Sequence, residues 1–234
     1  MKRPPLVALR QENTHRLVPR KVALEEDPLL RLGDTAAELR RLSELERATD
    51  NRVLGEAGLL PGISIHELVF GVPYARVLNA AFTYARLQGG RFNSPDRGAW
   101  YAAFHLETSK AEVAYHRGQD LREIKWPHAE TFEYVEFLAD FRGEFHDIRW
   151  RTEFRSCLAL DTYLHSQRLG KSLLRSGSAG IVFPSVRDKR HGDCIVCFRP
   201  ALITNIRRGT SVTVRFDSFE AAPAFIVHGA KRGQ

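Results

Sequence analysis

Between Gly89 and Arg117 the chain reads GGRFNSPDRGAWYAAFHLETSKAEVAYHR, and Arg91, Tyr101 and Glu112 in it carry side chains suited to chemistry on a charged ligand. The planar fork of an arginine grips phosphate with better geometry than a lysine. A tyrosine offers a stacking face with a polar end, and a carboxylate stabilises positive charge as it develops in a transition state. Ser185, in GIVFPSVRDKRHGDCIVCFRP from Gly180 to Pro200, adds a hydroxyl beside Pro184. Each also has a plainer use: Glu112 as a helix cap partner, Arg91 as a surface cation, Tyr101 as a half-buried strand aromatic and Ser185 as a turn residue.

The elements that must position these groups can be read locally. Gly89 and Gly90 permit a tight backbone, Ser94-Pro95-Asp96 with Gly98 supplies turn chemistry, and the apolar run Ala99 to Phe104 reads as a strand. Ser109 with Glu112 three residues on fits a capping box, which predicts a helix over Ala111 to Arg117 with Glu112 in its first turn. Further along, His15 to Val22, Thr131 to Leu138, Ile181 to Phe183, Cys194 to Phe198 and Ser211 to Phe216 read as strands. Thr35 to Ala48, with Leu39, Leu42 and Leu45 at amphipathic spacing, Ala75 to Arg86 and Thr162 to Leu169 read as helices. Helices and short strands in irregular order point to an α+β fold rather than a doubly wound sheet.

Together these motifs resemble the RES domain family, named for its arginine, glutamate and serine. Arg91 in GGRFN, Glu112 in AEVAYH and Ser185 in FPSVR match the naming residues, and Tyr101 in WYAA matches a tyrosine the family also uses. HRLVPR at 15–20, ELERATDNRV at 44–53 and GVPYARVLNAAF at 71–82 look like longer members. The resemblance implies a fold similar to the ADP-ribosyltransferases and an NAD-consuming toxin of a bacterial toxin–antitoxin pair. It also implies a small, Xre-like antitoxin that covers the active site and carries any contact with DNA. NAD would be a consumed substrate, with no metal. Breaking the bond between ribose and nicotinamide passes through an oxocarbenium-like state. Glu112 would then engage the ribose, Arg91 and Arg16 the pyrophosphate, Tyr101 the nicotinamide end and Asn93 a further polar contact, while Ser185 would bond the nicotinamide ribose. The alternatives are a non-catalytic RES-like interaction module and a basic nucleic-acid-binding protein.

Composition bounds the rest. At 234 residues and 43% hydrophobic content the chain can bury one substantial core. Together with the resemblance, this implies an N-terminal strand and helical extension over 1–60 packed on the domain, a RES-like catalytic core over 61–220 and a C-terminal tail over 221–234. No apolar run approaches the roughly 18 residues of a membrane span, and MKRPPLVALRQ lacks a signal-peptide pattern, so a cytoplasmic protein is expected. The net charge of +7 would attract nucleic acid, but equally a pyrophosphate or an acidic partner. Cys194-Ile-Val-Cys197 has no second ligand pair at zinc spacing and reads as strand with buried thiols. His66-Glu67 begins like a zinc-protease motif but meets Phe70 where a second histidine belongs, and neither a dinucleotide glycine fingerprint nor a P-loop occurs.

Overall fold

The computed structural model describes residues 2–23 and 62–229, so the helix expected over 35–48 and the family-like stretch 44–53 lie outside the described residues. The α+β reading holds. In chain order the elements are β1 (Leu6–Pro19), α1 (Arg20–Ala23), α2 (Ala75–Thr83), β2 (Trp100–Ala103), α3 (Leu106–Glu123), β3 (Glu130–Asp147), α4 (Leu164–Arg175), β4 (Gly180–Pro184), β5 (Asp193–Cys197), β6 (Thr204–Phe216) and β7 (Ala224–His228), with short 3-10 turns between some of them.

The strands pair in the order β1-β2-β5-β4-β3-β6-β7, and β1 also pairs with β3. The first five therefore close a ring, with β6 and β7 continuing from β3. The closing bond is made by two long strands, β1 running antiparallel to β3 from Leu6↔His146 to Pro19↔Tyr134. Their register breaks between Gln11 and Thr14, where Asn13 takes a left-handed φ of 56° and its amide donates to Asp140 Oδ1 at 2.8 Å. Beyond that break His15 pairs with Ala103, which sets Arg16 beside the strand of Tyr101.

Strand periodicity sorts the side chains into cores on opposite faces. Trp100, Val182, Ile195 and Cys197 join Phe82 of α2 and Phe137, Phe141 and Phe145 of β3. Their strand neighbours Ala103, Ile181, Phe183, Cys194 and Val196 pack with Phe92, Phe154 and Leu169 and Leu173 of α4. A third cluster seats Ala114 and Leu121 of α3 on Leu17, Tyr134 and Val212. Cys157, Cys194 and Cys197 are buried free thiols, as their apolar settings foreshadow.

Several expectations need correction. The Ser109–Glu112 capping box does not form. β2 ends at Ala103, the chain turns through Phe104, and extended His105 caps a helix that starts at Leu106, with the amides of Thr108 and Ser109 donating to His105 O at 3.1 and 3.2 Å. Glu112 therefore lies at the end of the second turn rather than in the first. Among the described residues of 221–234, β7 pairs antiparallel with β6. The N-terminal strand β1 closes the ring and carries Arg16, which lines the cavity described below. Among the described residues no helix is long and apolar enough to cross a membrane.

Candidate active site

A cavity of about 290 Å³ opens where β1, β2, α3 and the loop 84–98 meet, and Arg16, Arg91, Tyr101, Glu112, His116 and Tyr163 are among the residues that line it. The loop is self-organised. Gly90 N donates back to Asn93 O at 3.0 Å, and a Cβ on Gly90 would meet Asn93 Oδ1 at 2.4 Å and Tyr101 Oη at 2.9 Å, so only glycine lets the loop lie this close to the tyrosine. Tyr101 Oη accepts from Phe92 N at 2.9 Å and donates to Asn93 Oδ1 at 2.8 Å, while Asn93 Nδ2 donates to Ser94 O and Arg97 O. Burial pushes the Tyr101 phenol up, so it stays protonated and serves as the strut of the loop. The Tyr101 hydroxyl is thus committed to the loop. Asn93, expected as a ligand contact, has its amide committed to the loop.

Arg91 leaves that loop 8% exposed. Its Nη1 donates to Cys157 O at 3.2 Å and Ala159 O at 2.9 Å, and its guanidinium lies 4.8 Å from the Tyr163 ring centroid. The group is aimed by the chain just before α4, and among the described residues Nε and Nη2 keep their donors. Burial lowers its pKa, against the opposing pull of Tyr163 and Glu112. Arg16 donates from Nη1 to Tyr101 O at 3.0 Å and lies 4.8 Å over Trp100, and among the described residues its buried Nε has no partner. Burial brings its pKa down to about 10, so it remains a cation at neutral pH. A desolvated, unpartnered donor on a cavity wall is one a ligand can satisfy.

Glu112 projects from α3 and accepts a short hydrogen bond of 2.5 Å from Ser185 Oγ to its Oε1. Burial raises its pKa, and the Ser185 bond and the charges of Arg91 and Arg187 oppose that rise. Ser185 is 0% exposed and stands behind Glu112 rather than on the cavity wall, so the direct ribose contact expected of it is replaced by a contact with the carboxylate. Arg16, Arg86 and Arg91 line the cavity with this carboxylate, and the charges of Arg91, Arg187 and Asp188 act on it. A low-dielectric cavity with this surplus of cations suits an anionic ligand, and its desolvated carboxylate suits a developing positive charge.

The structure adds groups that sequence reading did not single out. His116, one turn beyond Glu112, accepts at Nδ1 from Arg86 Nη1 at 3.0 Å. Burial and the neighbouring arginines bring it down to about 4, so it is neutral at physiological pH. Its i+4 spacing from Glu112 is the signal that could have found it. Arg187, two residues after Ser185, stacks 3.5 Å from the Tyr115 ring centroid and donates to Leu160 O at 2.7 Å. Tyr163 had no local signal, because it meets Arg91 only through the fold. Among the described residues no three His, Cys, Asp or Glu side chains gather in a metal-binding group.

A family model described as the RES domain matches residues 67–217 of the chain. No curated protein matches it. Among solved structures, one similar chain belongs to the toxin–antitoxin complex MbcT-MbcA of M. tuberculosis, at 12% identity and a TM-score of 0.46, with 88% of this chain and 85% of that chain covered.

Proposed function

We propose that this chain, which belongs to the RES domain family, binds NAD in the cavity around Glu112 and breaks the bond between nicotinamide and ribose. The bonding pair leaves with the nicotinamide ring and neutralises its positive nitrogen, and the ribose C1′ becomes oxocarbenium-like. An acceptor oxygen from water, phosphate or a protein side chain then bonds to C1′ and gives up its proton. Glu112 supplies the negative charge that this state needs, strengthened by removal from water. Arg91 and Arg16 take the pyrophosphate, and the ring of Tyr101 packs on the nicotinamide end.

The observation that carries the reading is Glu112 itself. It is a carboxylate with a raised pKa on a cavity wall, held by one hydroxyl and faced by arginines that do not bond to it directly. A carboxylate serving only the fold would have those arginines as partners.

Family membership also supports a role as the toxin of a toxin–antitoxin pair, restrained by a small protein partner over the cavity. Leu87 and Leu160, on the segments that supply Arg86 and Tyr163, are 97% and 59% exposed and offer apolar surface for such a cover.

Purified protein incubated with NAD, with and without phosphate, should release nicotinamide. A product that changes when phosphate is added identifies the acceptor, and labelling of proteins in a lysate identifies a protein acceptor. No release under either condition, with no protein labelled, would contradict the reading.

A further inference from the structure

The bond between Ser185 and Glu112 has a companion deeper in the fold. Thr108 and Glu112 are one helical turn apart on α3 and share a face. Facing them, Ser185 and Asp188 belong to one tight turn, and Thr108 Oγ1 donates to Asp188 Oδ2 at 2.7 Å. Both residues are buried, Thr108 at 1% and Asp188 at 5% exposure. The two contacts lie side by side between helix and turn.

The turn directs the serine proton. The amides of Arg187 and Asp188 donate to Ser185 Oγ at 3.1 and 3.0 Å, so the lone pairs of the hydroxyl are taken and its proton is directed to Glu112. Ser185 N donates to Gly192 O at 2.8 Å, which closes the turn at its other end. A Cβ on Gly192 would meet Thr108 Oγ1 at 2.1 Å and Asp188 Oδ2 at 3.0 Å, so the backbone is seated directly against the Thr108–Asp188 bond. Asp188 Oδ1 meanwhile accepts from Arg190 N at 3.0 Å and Nε at 3.2 Å.

We propose that Thr108 and Asp188 are positioning residues for Glu112. Resting on the NAD-consuming reading above, they dock the 185–192 turn on α3 so that Ser185 fixes Oε1 and leaves Oε2 of Glu112 for the ligand. Neither residue is among those lining the cavity, and both act through the serine. The charged and titratable groups that face Glu112 are Arg91 from the loop, Arg187 and Asp188 from the turn, and Cys194 from β5.

The test compares Thr108→Val, which keeps the shape and loses the hydroxyl, with Thr108→Ser, which restores it. Nicotinamide release should show kcat lower by about tenfold in the valine variant with KM little changed, because small misplacements of a reacting group cost that much or more. Carbon NMR of the Glu112 carboxyl, assigned with Glu112→Gln, should show its titration midpoint moved upward, since the Ser185 bond that lowers it is weakened. Thr108→Ser should recover both. Gly192→Ala, which pushes on the same hydroxyl, should move both readouts in the same direction and serves if the valine variant does not fold. Wild-type kcat and an unmoved carboxyl midpoint in Thr108→Val would overturn the proposal. Absent turnover in the wild-type protein would count against NAD consumption, and the carboxyl titration alone would then decide whether Thr108 positions Glu112.

Discussion

Glu67 and Glu112 are the same residue type in similar company, each with two arginines close by, yet their acidities move in opposite directions. Glu67 sits at the end of a 3-10 turn and takes Arg97 Nη1 on both oxygens at 2.8 and 2.9 Å, with Arg199 Nη1 at 3.0 Å and Ser64 N at 3.3 Å. Burial alone would push it up, but those direct bonds hold it below the ordinary carboxylate value. Glu112 has one hydroxyl, and its arginines spend described donors on the carbonyls of Cys157, Ala159 and Leu160. It therefore stays above the ordinary value. The difference separates a carboxylate that ties segments together from one whose charge is left largely unpaired, the feature on which the proposed ligand role rests.

The largest expected effect lies in turnover. Glu112→Gln should lower nicotinamide release by about a hundredfold or more, the usual cost of removing one electrostatic stabiliser of a transition state. Its folded pKa is raised, so the ionised form is disfavoured in the fold. The stability it contributes is full below its unfolded pKa and is lost as pH rises through the folded one. The amide removes that loss, and melting at neutral pH should be unchanged or higher.

Glu67→Gln should do the reverse. Arg97, 8% exposed, would lose its ion partner. Removing one member of a buried pair typically costs about 3 kcal/mol or more, and the partial exposure of Glu67 sets the expectation at that lower end. Turnover below the melting transition should persist. Its depressed pKa gives stability that is present above the unfolded value and lost as pH falls through the folded one, so acid melting curves should flatten in the variant.

Arg91→Lys keeps charge but loses the fork, and should weaken NAD binding by about tenfold, the worth of a charge-assisted contact of roughly 1.5 kcal/mol. Titration calorimetry with a non-cleavable analogue reads this directly. Unchanged affinity would remove Arg91 from the phosphate site and leave Arg16 as the candidate. The smallest effect is the pH profile. Wild-type turnover should fall as pH drops through the raised Glu112 value, and Ser185→Ala should move that limb to higher pH, because the serine bond lowers it.

Much of this was legible in the sequence because it is local. Strand periodicity placed Tyr101 and the β4 and β5 segments, and the ordered motifs picked out Arg91, Glu112 and Ser185. The start of α3 was not legible, because Thr108, Ser109 and Lys110 are buried polar residues that break the apolar stripe a helix normally shows. Nor was the role of Ser185, which depends on a turn closed by Gly192 against a helix more than seventy residues earlier. Tyr163 and the carbonyls that aim Arg91 come from the segment before α4, and only the fold brings them there. Glu67, set aside as half of a zinc motif, belongs to an ion-pair hub whose partners lie thirty and more residues away.

The most direct measurement sets wild type, Glu112→Gln and Glu67→Gln side by side with NAD, at one neutral pH and at a temperature where all three are folded. Wild type and Glu67→Gln should release nicotinamide at comparable rates while Glu112→Gln falls to a small remainder. Release by Glu112→Gln at the wild-type rate would contradict the claim that this carboxylate is the catalytic one.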